Sequence, residues 1–283
     1  MLGVVLALLA AFSYGVGDFV GGLGGRRSHP ALIPIAVQVI GVLLTVVAVV
    51  VLGGSPTAAV LAWGALSGVG GGVGNACLLR GLATGRMSVV APLSAVITAA
   101  IPAVVGLLSG DRLTPGGWAG IALALPAVAL ASWSGRDGGF GLADIGYGVG
   151  AGCGFGLLFV ALDRAGTDAG AWPLLPGQLV ALVIVSLAAL PVLIRMRRQR
   201  QDFRLAAVAR WGSASGALGA AGNLLFLIAT GEGQLTIAAV LAGLYPAVTV
   251  MLAALILRER MIRTQQAGLV AAAGSIALIV TGS

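Results

Sequence analysis

The sequence predicts an all-α integral membrane protein whose ten transmembrane helices form two inverted five-helix repeats. Three observations predict this fold: long apolar runs without charges, an internal repeat, and arginines concentrated in alternate connections. Of the 283 residues, 59% are hydrophobic and 9% are charged, whereas soluble domains carry about 25% charged residues. A spanning helix needs about 20 apolar residues. The runs are continuous, which excludes the alternating pattern of barrel strands.

Charge clusters and Gly, Pro and Ser residues divide the chain into ten apolar segments. The first segment has no basic residue before it, and Arg26 and Arg27 follow it. This order is the reverse of a secretory signal peptide, so we assign the segment as a span. The predicted spans are Leu2 to Gly24, Ala31 to Leu52, Ala58 to Leu79, Ser88 to Ser109, Gly116 to Ser134, Ala143 to Leu162, Ala171 to Ile194, Ala207 to Ala229, Leu235 to Leu257 and Thr264 to Thr281.

Spans three to five recur in the sequence as spans eight to ten. A shift of 148 positions places Trp63 to Gly68 on Trp211 to Gly216 and superposes Asn75 on Asn223. These are the only asparagines of the chain, so composition does not explain the match. The same frame places Asp111 and Arg112 on Glu259 and Arg260, at span ends where we interpret both pairs as caps.

The first two spans recur with a shift of 140 positions, which places Phe19 on Phe159 and Gln38 on Gln178. We therefore divide the chain into a first repeat, residues 1–135, and a second repeat, residues 136–283. Because each repeat has an odd number of spans, the halves must lie in the membrane with opposite orientations. Inverted repeats are typical of transporters, with the substrate site near the midplane.

Arginine distribution predicts the orientation. The connections after odd-numbered spans hold fourteen arginines, and the other face holds only Arg112 and Arg164. This places the odd connections in the cytoplasm and both termini outside. The fourteen are Arg26, Arg27, Arg80, Arg86, Arg136, Arg195, Arg197, Arg198, Arg200, Arg204, Arg210, Arg258, Arg260 and Arg263.

Three segments resemble the EamA-type, ten-span branch of the drug/metabolite transporters, and the resemblance covers essentially the whole chain. One is Leu244 to Thr249, followed by Arg258 to Arg260 and Ala267-Gly268, which is similar to the family's proline-kinked span and its acidic-arginine turn. The second is the weaker first-half copy ending in Gly110 to Leu113. The third is Tyr14 to Phe19, where the family often carries an aromatic residue among small ones.

The resemblance implies a bundle whose cavity is lined chiefly by spans one, three, four, six, eight and nine. It also implies alternating access in the plasma (inner) membrane, with export of amino acids or related compounds. Uptake or exchange of small metabolites is the alternative. Thr98 stands where the repeat frame expects a counterpart of Pro246, so the halves are not mechanically equivalent. Known family members have both termini in the cytoplasm, which is opposite to the orientation from the arginines.

Asp18 is the only acidic residue well inside a predicted span. A charge at a helix centre costs about 2.5–3.5 kcal/mol on insertion scales, so such a residue is a functional candidate. The alternative is that it lies close enough to the cytoplasmic interface to stay hydrated. We predict that Asp18 couples protons to transport, and simple facilitated exchange is the competing hypothesis.

Other polar and aromatic residues in the spans complete the predicted substrate pathway. Tyr14 lies one helical turn before Asp18, so both project from one face. Intramembrane amides line a watery path or bond another helix, and we favour helix bonding for Gln38 and Gln178. For the two asparagines and the tyrosines, pathway and packing roles both remain open. The predicted pathway residues are Tyr14, Asp18, Asn75, Thr98, Asn223 and Tyr245.

Several other classes of function lack support in the sequence. His29 is the only histidine, and Cys77 and Cys153 lie within apolar runs, so no metal site, disulfide or catalytic residue is expected. No nucleotide-binding motif occurs, so neither ATP nor another cofactor is expected, and the arginines indicate membrane orientation, not nucleic acid. Gly15 to Asp18 matches a short pattern of intramembrane aspartyl proteases, but their chemistry needs a second carboxylate. Oligomeric state stays open.

Overall fold

The computed structural model describes residues 1–28, 31–84, 87–133, 141–199, 205–258 and 260–282, and within them all regular secondary structure is α-helical. The boundary at 135 and 136, His29, Glu259 and four of the counted arginines lie outside the described residues. The helices are α1 (Leu2–Arg27), α2 (Ile33–Leu52), α3 (Ala58–Thr84), α4 (Met87–Leu108), α5 (Pro115–Ala131), α6 (Leu142–Ala165), α7 (Leu174–Arg198), α8 (Leu205–Gly231), α9 (Leu235–Ala242), α10 (Tyr245–Ile256) and α11 (Arg263–Gly282).

In the described part of the chain, eight helical segments are long and apolar enough to cross a membrane, with α9 and α10 counted together as one of them. This confirms a multi-pass membrane protein. Each of the ten predicted spans contains a helix, but α3 and α5 are not among the eight. Glycines and Asn75 lower the hydropathy of α3, and α5 has only 17 residues. The count of ten spans therefore stays a prediction.

The ninth predicted span is interrupted near its middle. Sequence analysis treated Leu235 to Leu257 as one kinked span, whereas the structure ends α9 at Ala242 and begins α10 at Tyr245. Pro246 lies in the first turn of α10, where its missing N–H costs no helical hydrogen bond. The break brings Tyr245 to the start of a new helix in the interior of the protein.

Glycines allow the principal helix pairs to approach closely. A Cβ atom on Gly154 of α6 would lie 2.6 Å from the backbone nitrogen of Gly74 and 2.7 Å from the carbonyl oxygen of Gly70, both on α3. A Cβ on Gly68 would lie 2.2 Å from the carbonyl oxygen of Gly177 on α7. Small residues at such crossings let backbones meet, which is how membrane helices gain packing energy without a hydrophobic driving force.

The helix contacts have the same pattern in both halves of the chain. In this comparison α9 and α10 count as one helix, so that α1–α5 correspond to α6–α11. α1 packs on α8 as α6 packs on α3, and α2 packs on α8 as α7 packs on α3. α6 contacts α4 as α1 contacts α9 and α10, whereas α5 pairs with α11 and α2 with α7. Each helix therefore makes its main contacts with the opposite half of the chain.

Polar contacts connect the loops at one end of the bundle, which we call the terminal end because Met1 and Gly282 lie there. The carboxylate of Asp111 accepts a hydrogen bond from the backbone N–H of Thr236 at 2.8 Å, so it caps α9, a partner that the sequence did not indicate. The other contacts are from Trp172 Nε1 to the Gly54 oxygen, from Arg164 to Ser109, from Gln234 to the Arg112 oxygen, and from Thr114 to the Gly282 oxygen.

Replacing Gly154 with alanine should destabilise the protein, because the new methyl group would meet the backbone of α3. Overpacking of this kind costs about 1–3 kcal/mol. Gly146→Ala on the same helix is the matched control, since a Cβ there meets nothing within 4 Å. We expect a lower melting temperature in detergent for Gly154→Ala and an unchanged or higher one for Gly146→Ala. Equal melting temperatures would contradict the close crossing of α3 and α6.

Candidate functional site

A cavity of about 190 Å³ lies between the helices near the middle of the bundle. All six predicted pathway residues line it: Tyr14, Asp18, Asn75, Thr98, Asn223 and Tyr245. They come from α1, α3, α4, α8 and α10, and α6 contributes Phe155 and Phe159. The lining also includes α2 and α7, which the family resemblance did not imply. The structure thus brings the predicted residues together, while their roles stay hypotheses.

Asp18 reaches the accessible part of this cavity. Its side chain is exposed, and it is the only charged residue among those lining the cavity in the described part of the chain. Tyr14, one turn earlier on α1, lines the same space. Within the described residues no side chain forms an ion pair or hydrogen bond with Asp18. Its carboxylate is therefore available to a proton or to a bound solute.

Tyr14 links the two halves at the centre of the cavity. Its hydroxyl donates a hydrogen bond of 2.7 Å to Oδ1 of Asn223 on α8. Its ring centroid lies 6.0 Å from that of Phe159 and 6.4 Å from that of Tyr245. The ring also packs on Gly222, where a Cβ would come within 2.6 Å of it. These contacts fix the position of Tyr14 and occupy the carbonyl oxygen of Asn223.

Asn75, the repeat counterpart of Asn223, has different surroundings. Its amide nitrogen donates to the carbonyl oxygen of Gly71 in its own helix at 2.9 Å. Phe155 packs on Gly74 much as Tyr14 packs on Gly222 in the other half. Phenylalanine has no hydroxyl to donate, and the Asn75 carbonyl oxygen accepts no hydrogen bond from any described residue. This oxygen therefore remains available in the cavity.

Thr98 contributes a buried hydroxyl to the cavity wall. Its side chain is 1% exposed, and its Oγ1 has no hydrogen-bond partner among the described residues. Ser94, one turn earlier on α4, also has an unpaired hydroxyl. A buried hydroxyl without a partner costs about 1–3 kcal/mol. A bound molecule or a water that hydrogen-bonded to this hydroxyl would recover part of this cost.

Gln38 and Gln178 line the cavity as well, although sequence analysis favoured helix bonding for both. Within the described residues neither amide hydrogen-bonds to a neighbouring helix. The Gln178 side chain packs on Gly41 of α2, where a Cβ would lie 2.8 Å from its amide oxygen. The sequence signal that relates the two glutamines is their superposition at a shift of 140 positions, which does not specify the face of the helix on which they lie.

Accessibility differs between the two ends of the cavity. The end near the connections α1–α2 and α3–α4, which we call the arginine-rich end, has an exposed Asp18 and partly exposed Gln38, Asn75 and Leu78. Lining residues toward the terminal end are buried: Ser67 is 4% exposed, Leu162 1%, Leu174 4% and Gln178 6%. Apart from Ser215, which is 8% exposed, the lining named here is more exposed toward the arginine-rich end than toward the terminal end.

Cysteine labelling should detect this difference along a single helix. In a variant lacking Cys77 and Cys153, we expect Asn75→Cys to react with a small methanethiosulfonate reagent several-fold faster than Ser67→Cys. Both positions are on α3 and line the cavity, but only Asn75 is partly exposed. Mass spectrometry of the purified protein measures the rate. Faster labelling at Ser67 would mean that the cavity opens at the terminal end.

Comparison with known proteins gives a family match and several solved structures with a similar fold. Residues 144–281 match the EamA-like transporter family. A protein known from a crystal structure aligns with a TM-score of 0.75 over 99% of this chain and 97% of that chain. Its sequence identity is 15%, so the likeness concerns the fold alone. No curated protein matches the chain significantly.

Proposed function

We propose that this chain, whose residues 144–281 match the EamA-like transporter family, is a member of that family and exports amino acids or related small metabolites across the plasma (inner) membrane by alternating access. The family match and the apolar helices support a membrane transporter of small solutes. The observation that carries the proposal is one cavity lined by both asparagines and by Asp18, the only acidic residue that lines it in the described part of the chain, with a lining that is more exposed toward one end.

Alternating access is supported by the symmetry of the helix contacts. Each half pairs mainly with the other half, and exchanging the halves leaves the pairing unchanged. In inverted-repeat transporters the two halves exchange conformations, so that a central site opens first to one side and then to the other. We therefore propose ten spans in two inverted repeats, in which a cavity more exposed toward the arginine-rich end than toward the terminal end represents one of two states.

Two other functions compete with export. Uptake or exchange uses the same cavity and differs only in which gradient drives the solute. A remote alternative is an intramembrane aspartyl protease, whose chemistry needs two carboxylates at one site. Asp18 is the only acidic residue that lines the cavity in the described part of the chain, which favours transport.

Proton coupling is proposed to depend on Asp18. The titratable groups that share the cavity with it are Tyr14 on its own helix and Tyr245 from α10. A charged carboxylate is costly within a membrane, so its protonation depends on whether the cavity is open to water. Asp18 would bind a proton when the cavity faces one side and release it when the cavity faces the other.

Asp18→Asn tests this coupling because it preserves the shape of the side chain and removes the titration. An efflux screen in overexpressing cells first identifies a transported metabolite. In proteoliposomes the wild type should accumulate that metabolite on the acidic side, since each proton leaving that side drives solute in. Asp18→Asn should lose this accumulation and retain counterflow.

The matched control for this test is Asp168→Asn in the exposed connection between α6 and α7, which should behave as the wild type does. Normal uphill transport with an ordinary pH dependence in Asp18→Asn would refute proton coupling. Failure of the wild type to move any metabolite in the screen would refute the transporter proposal itself.

Orientation can be tested with two exposed positions at opposite ends of the bundle. In intact cells, in a background without Cys77 and Cys153, an impermeant maleimide should modify Ser55→Cys and spare Gln199→Cys. The expectation follows from the concentration of arginines on the cytoplasmic side of membrane proteins. The reverse pattern would place both termini in the cytoplasm, as in the known family members.

A further inference from the structure

The cavity also indicates the chemical class of the solute, an inference that depends on the transport function proposed above. We propose that Asp18, Asn75 and Thr98 bind the protonated amine of the solute, and that the cavity favours small amines without a carboxylate. This narrows the proposed range of amino acids and related compounds to their amine members. The proposal follows from the charge, the hydrogen-bonding capacity and the aromatic lining of the cavity.

The charge of the cavity lining favours a cationic solute. Among the lining residues in the described part of the chain, Asp18 is acidic and none is arginine or lysine. A carboxylate or phosphate entering this cavity would lose its hydration without gaining a cationic partner, which is costly. A protonated amine instead gains an opposite charge that no other described residue occupies. The free energy of binding therefore favours a cation.

The cavity lining also has hydrogen-bond acceptors that suit an ammonium group. An alkylammonium group donates up to three hydrogen bonds and accepts none. The Asn75 carbonyl oxygen and the Thr98 hydroxyl lack donors among the described residues, and Thr98 is almost completely buried. The equivalent oxygen of Asn223 already accepts from Tyr14. The acceptors without a donor thus lie in the first half of the chain, which also provides Asp18, and a solute reaches the buried Thr98 hydroxyl only after a small movement of the wall.

Aromatic side chains form part of the cavity lining. Tyr14, Tyr245, Phe155 and Phe159 line the cavity around these acceptors. Aromatic faces attract cations, and their apolar rings also accommodate a hydrophobic body. A volume of about 190 Å³ is smaller than the roughly 300–1,000 Å³ of pockets for drug-sized ligands. The solute therefore corresponds to a metabolite with one small ring or a short aliphatic chain.

Three probes that share a phenyl body test the inference on the purified, full-length protein. They are 2-phenylethylamine, phenylalanine and 3-phenylpropionate, which at neutral pH are a cation, a zwitterion and an anion. Equilibrium dialysis should give an affinity for the amine at least several-fold higher than for phenylalanine, with no measurable binding of phenylpropionate. The assignment would be overturned if either carboxylate compound bound as tightly as the amine or more tightly. It would also be overturned if none of the three compounds bound.

Variants then test the named residues. Asp18→Asn should remove the preference for the cation but retain weaker binding through the Asn75 and Thr98 oxygens, so that counterflow persists at a higher solute concentration. Asn75→Leu and Thr98→Val should each weaken amine binding several-fold. Two controls outside the cavity, Asp168→Asn and Thr281→Val, should bind as the wild type does. Melting temperatures without ligand show whether each variant is folded. A folded Asp18→Asn that still prefers the amine would overturn the assignment.

These experiments test the amine site and the transport function separately. If phenylalanine counterflow occurs in proteoliposomes while the amine neither binds nor competes, the transporter proposal stands and the amine site is wrong. If the amine binds with the expected dependence on Asp18 while no metabolite is moved, the site stands and the proposed transport function is wrong.

Discussion

The backbone contact between α3 and α6 is the constraint on which much of the interior depends. Gly70, Gly74 and Gly154 let the two helices meet without intervening side chains. Lipid offers no hydrophobic driving force for helix association, so such close packing must supply much of the stability. It also fixes the distance between the two walls of the cavity, because α3 carries Asn75 and α6 carries the facing phenylalanines.

Polar residues are concentrated in this interior, and they are paired unevenly. The Tyr14 hydroxyl donates to Asn223 across the two halves, whereas Asn75 hydrogen-bonds to its own helix and, among the described residues, to no other. The hydrogen bonds differ because Tyr14 has a hydroxyl that donates to Asn223, whereas Phe155, which packs on Gly74 in the other half, has none. The repeated scaffold therefore holds a site that is not symmetric, and its unpaired acceptors are those available to a solute.

The two ends of the bundle also differ, and the terminal end is the more tightly connected one. At the terminal end, loops from both halves are joined by hydrogen bonds, including the Asp111 carboxylate that caps α9. The cavity residues beneath them, such as Leu162 and Leu174, are buried. Opening this end would require these contacts to break, so they contribute to the free-energy difference between the two proposed states.

The sequence by itself determined the helices and most of the candidate site. A helix satisfies its own backbone hydrogen bonds in lipid, so an apolar run is enough to predict one, and polar residues within the runs identified Asp18 and Asn75. Only the tertiary structure decided that α9 and α10 are separate, that Gln178 faces the cavity, and which asparagine is paired. These features depend on contacts between residues far apart in the chain, such as Tyr14 and Asn223, which local pattern does not specify.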